Sequence, residues 1–166
     1  YFSESAPFYS IFDVGEYTFA PYKVVWPNIA SELACVVVSG HEGKTVVPQH
    51  IITLVATENA EEAHFVCALL NSAPVNFTVQ SYSQKGGKSF GTPHVLENVR
   101  IPRYDPANST HRRLAALSQQ AHQATATGET ARVRGIEAEI DRLAAKLWGL
   151  TETELQEIQD SLKELR

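Results

Sequence analysis

Three short apolar runs in the first third of the chain place the strongest constraint on its fold. They cover residues 22–26, 33–38 and 50–56, are rich in β-branched or aromatic side chains, and are bounded by turn-forming residues. No segment between them has the length or the apolar spacing of a helix. Because parallel strands need long crossover connections, the pattern predicts an α+β fold with an antiparallel or mixed sheet.

The apolar spacing changes from that of a strand to that of a helix after residue 56. Thr57 or Asn59 can cap a helix that begins near Ala60, and the apolar residues that follow recur at steps of three and four. Pro74 opens a second amphipathic segment, which runs into the polar loop 83–89. The sequence therefore predicts two helices that pack with the sheet.

A boundary in the chain is predicted near residue 106. Residues 94–98 predict a helical turn and residues 99–102 predict a last strand, after which Pro106 interrupts the pattern. We expect an α+β domain over residues 1–106 and a helical tail over residues 107–166.

The tail has helical spacing throughout, with breaks at Thr127-Gly128 and at Gly149. Thr151 and Glu154 form the pattern of a capping box in front of the last segment. The pattern predicts a helical hairpin, similar to a coiled coil, followed by a third helix. The heptad seam of the hairpin is predicted at Val133, Ile136, Ile140, Leu143 and Leu147.

Composition and charge argue against several classes of protein. The 166 residues are 43% hydrophobic, and 14 Lys and Arg stand against 19 Asp and Glu, so the net charge of −5 argues against a general polyanion binder. The longest apolar run, Leu33 to Val38, is far shorter than the roughly 18 residues of a membrane span. Since the chain starts at Tyr1 and contains no Met, we interpret it as a fragment of a longer polypeptide.

The chain has two cysteines, Cys35 and Cys67, which are too few for a disulfide framework. This cysteine content favours the reducing cytoplasm as the compartment of the protein.

No strong catalytic signature occurs in the sequence. The glycine motifs of nucleotide-binding folds, the Gly-x-Ser-x-Gly of hydrolases and the His-Glu-x-x-His of zincins are all missing. His64 and Cys67 lie three residues apart on a predicted helix and could place two metal ligands on one face. A single such pair is a weak signal, so buried core residues are the favoured interpretation.

Basic residues are concentrated between residues 84 and 113. This segment has a charge of +4, whereas the whole chain has −5, which leaves −9 for the remainder. A local basic patch on an acidic protein suits a phosphate backbone held in one groove, although ordinary solvated loop and helix charges would give the same pattern. The basic residues are Lys85, Lys88, Arg100, Arg103, Arg112 and Arg113, and the acids are Glu97 and Asp105.

Three smaller features leave alternatives open. Trp26 lies on the strand face opposite Lys23, and we favour a core position for it over a base-stacking platform. His41 and Lys44, in a predicted turn, could reach a ligand or could be idle surface residues. The mixed charges of the tail favour a solvent-facing spacer over direct DNA contact.

Taken together, several segments resemble the C-terminal target-recognition region of adenine-specific DNA methyltransferases from bacterial restriction-modification systems of type I and type IIG. The resemblance covers nearly the whole chain and depends on the order and spacing of its segments. These are Phe19-Ala20-Pro21-Tyr22-Lys23-Val24-Val25-Trp26, the run from Glu61 to Val75, the Gly86-Gly87 loop, Val99-Arg100-Ile101-Pro102 with Asp105-Pro106, and the helical residues 136–143 and 147–151.

The resemblance implies a role in a longer enzyme. In such enzymes a separate Rossmann-like domain binds S-adenosylmethionine and receives a flipped adenine at an Asn-Pro-Pro-Tyr or related motif. Neither the cofactor motif nor the adenine motif occurs here, so this chain is expected to bind no cofactor and to perform no methylation alone. It is similar to the specificity half, which lies against double-stranded DNA and selects the target sequence, and its tail is similar to the spacer helices of type I specificity subunits.

Ten residues are candidates for contact with DNA. We expect phosphate contacts from the basic side chains, close backbone approach at the two glycines, and polar contacts from the remainder, with Gln84 the best candidate to read an adenine. The phosphate set is Lys85, Lys88, Arg100 and Arg103, the glycines are Gly86 and Gly87, and the polar set is Ser83, Gln84, Lys23 and Asn28.

An interaction module is the alternative. In that interpretation the sheet docks on the catalytic domain of the same chain, or the helical tail associates with a second copy, and no base is contacted.

Overall fold

The computed structural model describes residues 14–82, 90 and 96–164. After a short helix α1 (Glu16–Phe19), three strands form one sheet: β1 (Tyr22–Pro27), β2 (Val36–Ser39) and β3 (Ile52–Thr57). Their order is β2-β1-β3, and both pairings are antiparallel. The predicted α+β fold is therefore confirmed. Of the two sheet types predicted, antiparallel or mixed, the structure has the antiparallel one.

The second strand is shorter than its apolar run. Strand β2 begins only at Val36, although the run begins at Leu33. The backbone N–H groups of Leu33 and Cys35 donate instead to the side-chain oxygens of Asn76, at 3.1 Å, and Asn71, at 2.7 Å. Side chains from the helices thus take the place that a further strand would occupy.

Two helices follow β3, as the apolar spacing predicts. They are α2 (Ala60–Asn71) and α3 (Ala73–Tyr82). Asn59 is the N-cap of α2, and its Oδ1 accepts hydrogen bonds from the backbone N–H groups of Glu61 and Glu62 at 2.8 and 3.2 Å. Of the two predicted caps, Asn59 is the one that binds the first turn of the helix.

The predicted hairpin and third helix are present. They are α4 (Ser109–Ala126), α5 (Thr130–Leu147) and α6 (Glu152–Glu164). Gly128 and Gly149 follow the first two of these helices with φ of 74° and 70°, the left-handed conformation that ends a helix. Among the described residues, no helix has both the length and the apolar character needed to cross a membrane.

The helical tail and the sheet segment share their packing. One core cluster joins the sheet to α2 and α3, and a second joins Phe65 and Leu69 of α2 to Leu114 of α4 and Ile140 of α5. A third, smaller cluster joins α3, α5 and α6. The heptad seam of α5 is therefore buried within the chain, and a division into two domains at residue 106 stays a prediction.

The predicted last strand at residues 99–102 is wrong. These residues form no ladder with any described strand, and they cross between the two core clusters instead. Pro102 has no N–H to donate, and the carbonyl of Arg100 accepts from Trp148 Nε1 at 3.2 Å rather than from a strand. Of the predicted helical turn before it, Leu96 and Glu97 are helical, and residues 94–95 lie outside the described residues.

Candidate nucleic-acid interface

Residues 99–106 form a segment outside the helices and strands, here called the strap, that leads into α4. Its apolar side chains point inward: Ile101 packs against both large core clusters, and the ring of Tyr104 lies 5.4 Å from that of Phe65. The Tyr104 hydroxyl donates to Glu61 Oε2 at 2.6 Å. Burial and this carboxylate raise the pKa of Tyr104 to about 12, so the hydroxyl keeps its proton and the bond.

Both ends of the strap are tied to helices. At one end, the Nε1 of Trp148, the C-cap residue of α5, donates a hydrogen bond to the carbonyl of Arg100 at 3.2 Å. At the other end the N–H of Asp105 donates to His111 Nδ1 at 3.1 Å, and Arg112 Nη1 donates to the carbonyl of Pro106 at 2.8 Å. The strap is therefore fixed along its length by contacts to three helices.

Arg100 and Arg103 lie on the outward side of the strap. Both are exposed. Within the part of the chain that the structure describes, neither guanidinium forms a hydrogen bond or an ion pair. Arg113 differs, because Glu139 binds it through two bonds of 2.8 and 2.9 Å, which balance its charge. As far as the described residues go, the charges of these two exposed arginines are thus not balanced by a partner.

The start of α4 adds positive potential beside the strap. Its first turn contains no acidic residue, and Arg112 and Arg113 follow at once. Helix N-termini carry a partial positive charge that ordinarily attracts acidic side chains, as Glu61 and Glu62 do at α2. At α4 Arg112 adds to that charge instead of offsetting it, whereas the charge of Arg113 is balanced by Glu139. Arg112 lies in the basic segment of the sequence, but its place beside the strap depends on tertiary structure and has no local sequence signal.

The other predicted contact residues have different positions. Lys23 lies on the central strand with only 1% of its surface exposed, and its Nζ donates to the carbonyl of Ala20 at 2.6 Å. Burial lowers the pKa of Lys23, and Glu58 partly offsets this. Asn28 donates to the carbonyl of His50 at 3.0 Å and accepts from Thr53 Oγ1 at 2.6 Å, so it joins the ends of β1 and β3.

Six of the ten predicted contact residues lie outside the described residues: Ser83, Gln84, Lys85, Gly86, Gly87 and Lys88. Of the four that are described, only Arg100 and Arg103 come together on one exposed segment. We therefore leave Lys23 out of the proposed contact surface because its ammonium group is buried.

A polar cluster joins β2 to α2 and α4. The N–H of Val37 donates to His122 Nε2 at 3.0 Å, and His122 Nδ1 lies 2.7 Å from the carbonyl of Ser118. Since a carbonyl only accepts, these two contacts fit the tautomer of His122 that carries a proton on Nδ1. His64 Nδ1 lies 3.0 Å from Ser118 Oγ, and burial, with His122 beside it, lowers the pKa of His64 to about 4.

The two cysteines and Trp26 have the buried positions that the core interpretation predicts. Cys67 is fully buried, both thiols are free, and burial raises the pKa of Cys67 to about 11. Trp26 is buried, and its Nε1 donates to the carbonyl of Phe90 at 3.0 Å. His41 and Lys44 pair through their backbones, and both are exposed, so their two interpretations stay open. Among the described residues, no three His, Cys, Asp or Glu side chains are grouped so as to hold a metal ion.

An open groove of about 830 Å³ lies between residues 32–36 and helices α2 to α6. Asp141, in its wall, accepts from the N–H of Ala73 at 2.7 Å and from Gln159 Nε2 at 2.8 Å, and burial raises the pKa of this carboxyl. Asn71 and Asn76 also line it and bind the backbone of residues 33–35. The groove has no local sequence signal because its walls come from distant parts of the chain. The side chains of Asp141, Asn71 and Asn76 in its wall are thus used in internal hydrogen bonds.

Comparison of the chain with protein-family models, with curated proteins and with solved structures gave no match. The functional interpretation therefore depends on the geometry of the strap and on the resemblance of the sequence segments quoted above.

Proposed function

We propose that this chain is the DNA sequence-recognition part of an adenine-specific DNA methyltransferase, or of a fused methylase-endonuclease, in a bacterial restriction-modification system. The observation that supports this proposal is the strap, on which Arg100 and Arg103 are exposed and have no partner among the described residues. The catalytic domain, with S-adenosylmethionine, would belong to the same parent chain and work in the cytoplasm.

A fixed strap suits phosphate binding for a physical reason. The backbone that carries the two arginines is already held by the contacts of Ile101 and Tyr104, so on binding only the arginine side chains lose conformational freedom. The planar fork of a guanidinium matches the oxygens of a phosphate. Each phosphate contact also releases condensed counterions from the DNA, which makes binding depend on salt. The contacts of Ile101 and Tyr104 with the core thus supply the rigidity, and Arg100 and Arg103 supply the charge.

The acidic remainder of the chain would confine DNA to this surface. Segment 84–113 has a charge of +4, and the remainder has −9. Like charges repel the phosphate backbone, so DNA is expected to approach along the basic segment alone. Lys85 and Lys88 would extend the phosphate contacts of the strap, and Gln84 would read an adenine in the major groove.

The test is a salt titration of binding to a pool of random duplex DNA. The double variant Arg100→Ala/Arg103→Ala removes both exposed strap charges, and Arg134→Ala/Arg142→Ala removes two exposed charges from α5 as a matched control. We expect the strap variant to lower the slope of log K against log salt by about 2, and the control to leave the slope unchanged. Equal effects of the two variants would contradict the proposal and favour the docking alternative.

Association through the tail stays a prediction of that alternative. Ile136 and Ile140 of the heptad seam are buried in the core cluster of α2, α4 and α5. A second copy that bound the tail would therefore have to use a surface other than the seam.

A further inference from the structure

His122 of α4 contacts the edge strand β2 and its own helix through its two ring nitrogens. Nε2 accepts from the N–H of Val37 at 3.0 Å, and Nδ1 lies 2.7 Å from the carbonyl of Ser118. A backbone N–H only donates, so the contact with Val37 needs a lone pair on Nε2. The link between β2 and α4 therefore depends on the protonation state of this ring.

A second proton on the ring, at Nε2, would remove the acceptor of Val37. Both ring nitrogens of a protonated imidazole are donors. The Nε2–H of His122 and the N–H of Val37 would then point at each other and would have to separate. The contact of Nδ1 with the carbonyl of Ser118 would stay, because it uses the proton that Nδ1 already carries in the fitting tautomer. Protonation thus breaks the link to the strand and keeps the one within the helix.

Protons can reach this ring, and its neighbour on α2 does not compete for them above about pH 5. His122 is half-buried and lines the open groove of about 830 Å³. The ring of His64 stands edge-on to it, with 5.0 Å between the ring centroids. Burial, with a smaller effect of His122, lowers the pKa of His64 to about 4, so His64 adds no positive charge above about pH 5.

The other groups around the ring favour a positive charge on it. Strand β2 contains no charged residue, and the thiols of Cys35 and Cys67 stay neutral because burial raises their pKa values. The groove that His122 lines has three acidic residues and one lysine in its wall, so its field attracts a proton. These residues are Glu32, Glu137, Asp141 and Lys163.

We propose that protonation of His122 releases β2 from α4, so that this edge of the sheet responds to pH. The release is confined to the Val37 end of the edge. Leu33 and Cys35 are bound there by the amide side chains of Asn76 and Asn71, which do not titrate. The inference does not depend on the proposed DNA recognition.

The test is amide hydrogen exchange of Val37 at about pH 7.5 and about pH 5.5, the range in which ordinary imidazoles gain a proton. Rates are expressed as protection factors, which removes the intrinsic effect of pH on exchange. We expect the protection of Val37 to fall about fivefold at the lower pH, as for the loss of one hydrogen bond. The N–H groups of Leu33 and Cys35, on the same edge, are internal controls and should keep their protection.

Two variants separate the two histidines. His122→Gln keeps an acceptor oxygen near the place of Nε2 and cannot gain a proton, so Val37 should stay protected at both pH values. His64→Gln removes the neighbouring imidazole and should leave the fall at Val37 in place. The proposal would be overturned by protection of Val37 that does not change with pH in the wild type. An equal fall in His122→Gln, or no fall in His64→Gln, would also overturn it.

Discussion

Replacement of Asn71 by alanine tests the side-chain protection of the β2 edge. Asn71 forms two hydrogen bonds with the backbone of Cys35, of 2.7 Å to the N–H and 2.8 Å to the carbonyl. Each bond contributes about 1 kcal/mol net, and a buried N–H left without a partner costs about 1–3 kcal/mol. Cys35 borders the open groove, so water can reach part of this site and reduce the penalty. We therefore expect a loss of about 2 kcal/mol in the free energy of unfolding.

The assay is urea unfolding with amide hydrogen exchange at Cys35. The loss corresponds to a fall of about 4–8 °C in Tm for a domain of this size. Asn71→Asp keeps the acceptor for the Cys35 N–H but places a carboxylate oxygen against the Cys35 carbonyl, so we expect it to cost at least as much. Gln123→Ala, at an exposed site on α4, is the control. A loss below about 0.5 kcal/mol for Asn71→Ala would refute the reasoning.

Four further changes test the rest of the account. Asn108→Ala removes the N-cap of α4, which accepts from the N–H groups of Thr110 and His111, and should lower the free energy of unfolding by about 1 kcal/mol in urea titrations. His64 has a folded pKa of about 4, below its ordinary value of 6.5, so the unfolded chain binds more protons between these pH values. Stability should therefore fall by about 1–3 kcal/mol as pH drops from about 6.5 to 4, and His64→Gln should reduce this dependence in unfolding curves taken across the range. Lys23→Met should leave the salt slope of DNA binding unchanged, because the ammonium group is buried, and a lower slope would place Lys23 back on the DNA surface. Trp148→Phe removes the bond to the Arg100 carbonyl without changing any charge, and should weaken DNA binding while the salt slope stays the same.

Local patterns predicted the parts of the fold that depend on nearby residues. The N-cap of α2, the glycines after α4 and α5, and the capping box at Thr151 all involve partners within a few residues. Helix spacing also predicted the hairpin and the third helix. These features follow from backbone geometry and from which face of a helix is apolar, both of which are written in short stretches of sequence.

The remaining features depend on contacts between distant parts of the chain. The partners of Leu33, Cys35 and Val37 are 43, 36 and 85 residues away, so no local pattern could show that β2 begins late. Residues 99–102 predict a strand because the β-branched Val99 and Ile101 alternate with Arg100. In the structure the same alternation turns Ile101 to the core and Arg100 to the surface without any ladder.

The candidate site was predicted in part for the same reason. Arg100 and Arg103 were found because basic residues are concentrated in one segment of an acidic chain. The sequence did not predict that Lys23 is buried. Alternation along a strand predicts one buried and one exposed face, whereas both faces of β1 are covered in the structure. A central strand that is buried on both sides gives no sequence signal that separates a surface lysine from a buried one.

The central claim is that the strap carries a DNA-recognition surface, and selection of binding sites from random duplex DNA tests it most directly. The wild-type chain and the Arg100→Ala/Arg103→Ala variant would each be incubated with the same pool, and the bound fraction would be sequenced. We predict that the wild type enriches one short sequence and that the variant loses the bound fraction. Equal recovery of DNA by both proteins, or recovery with no enriched sequence, would contradict the claim.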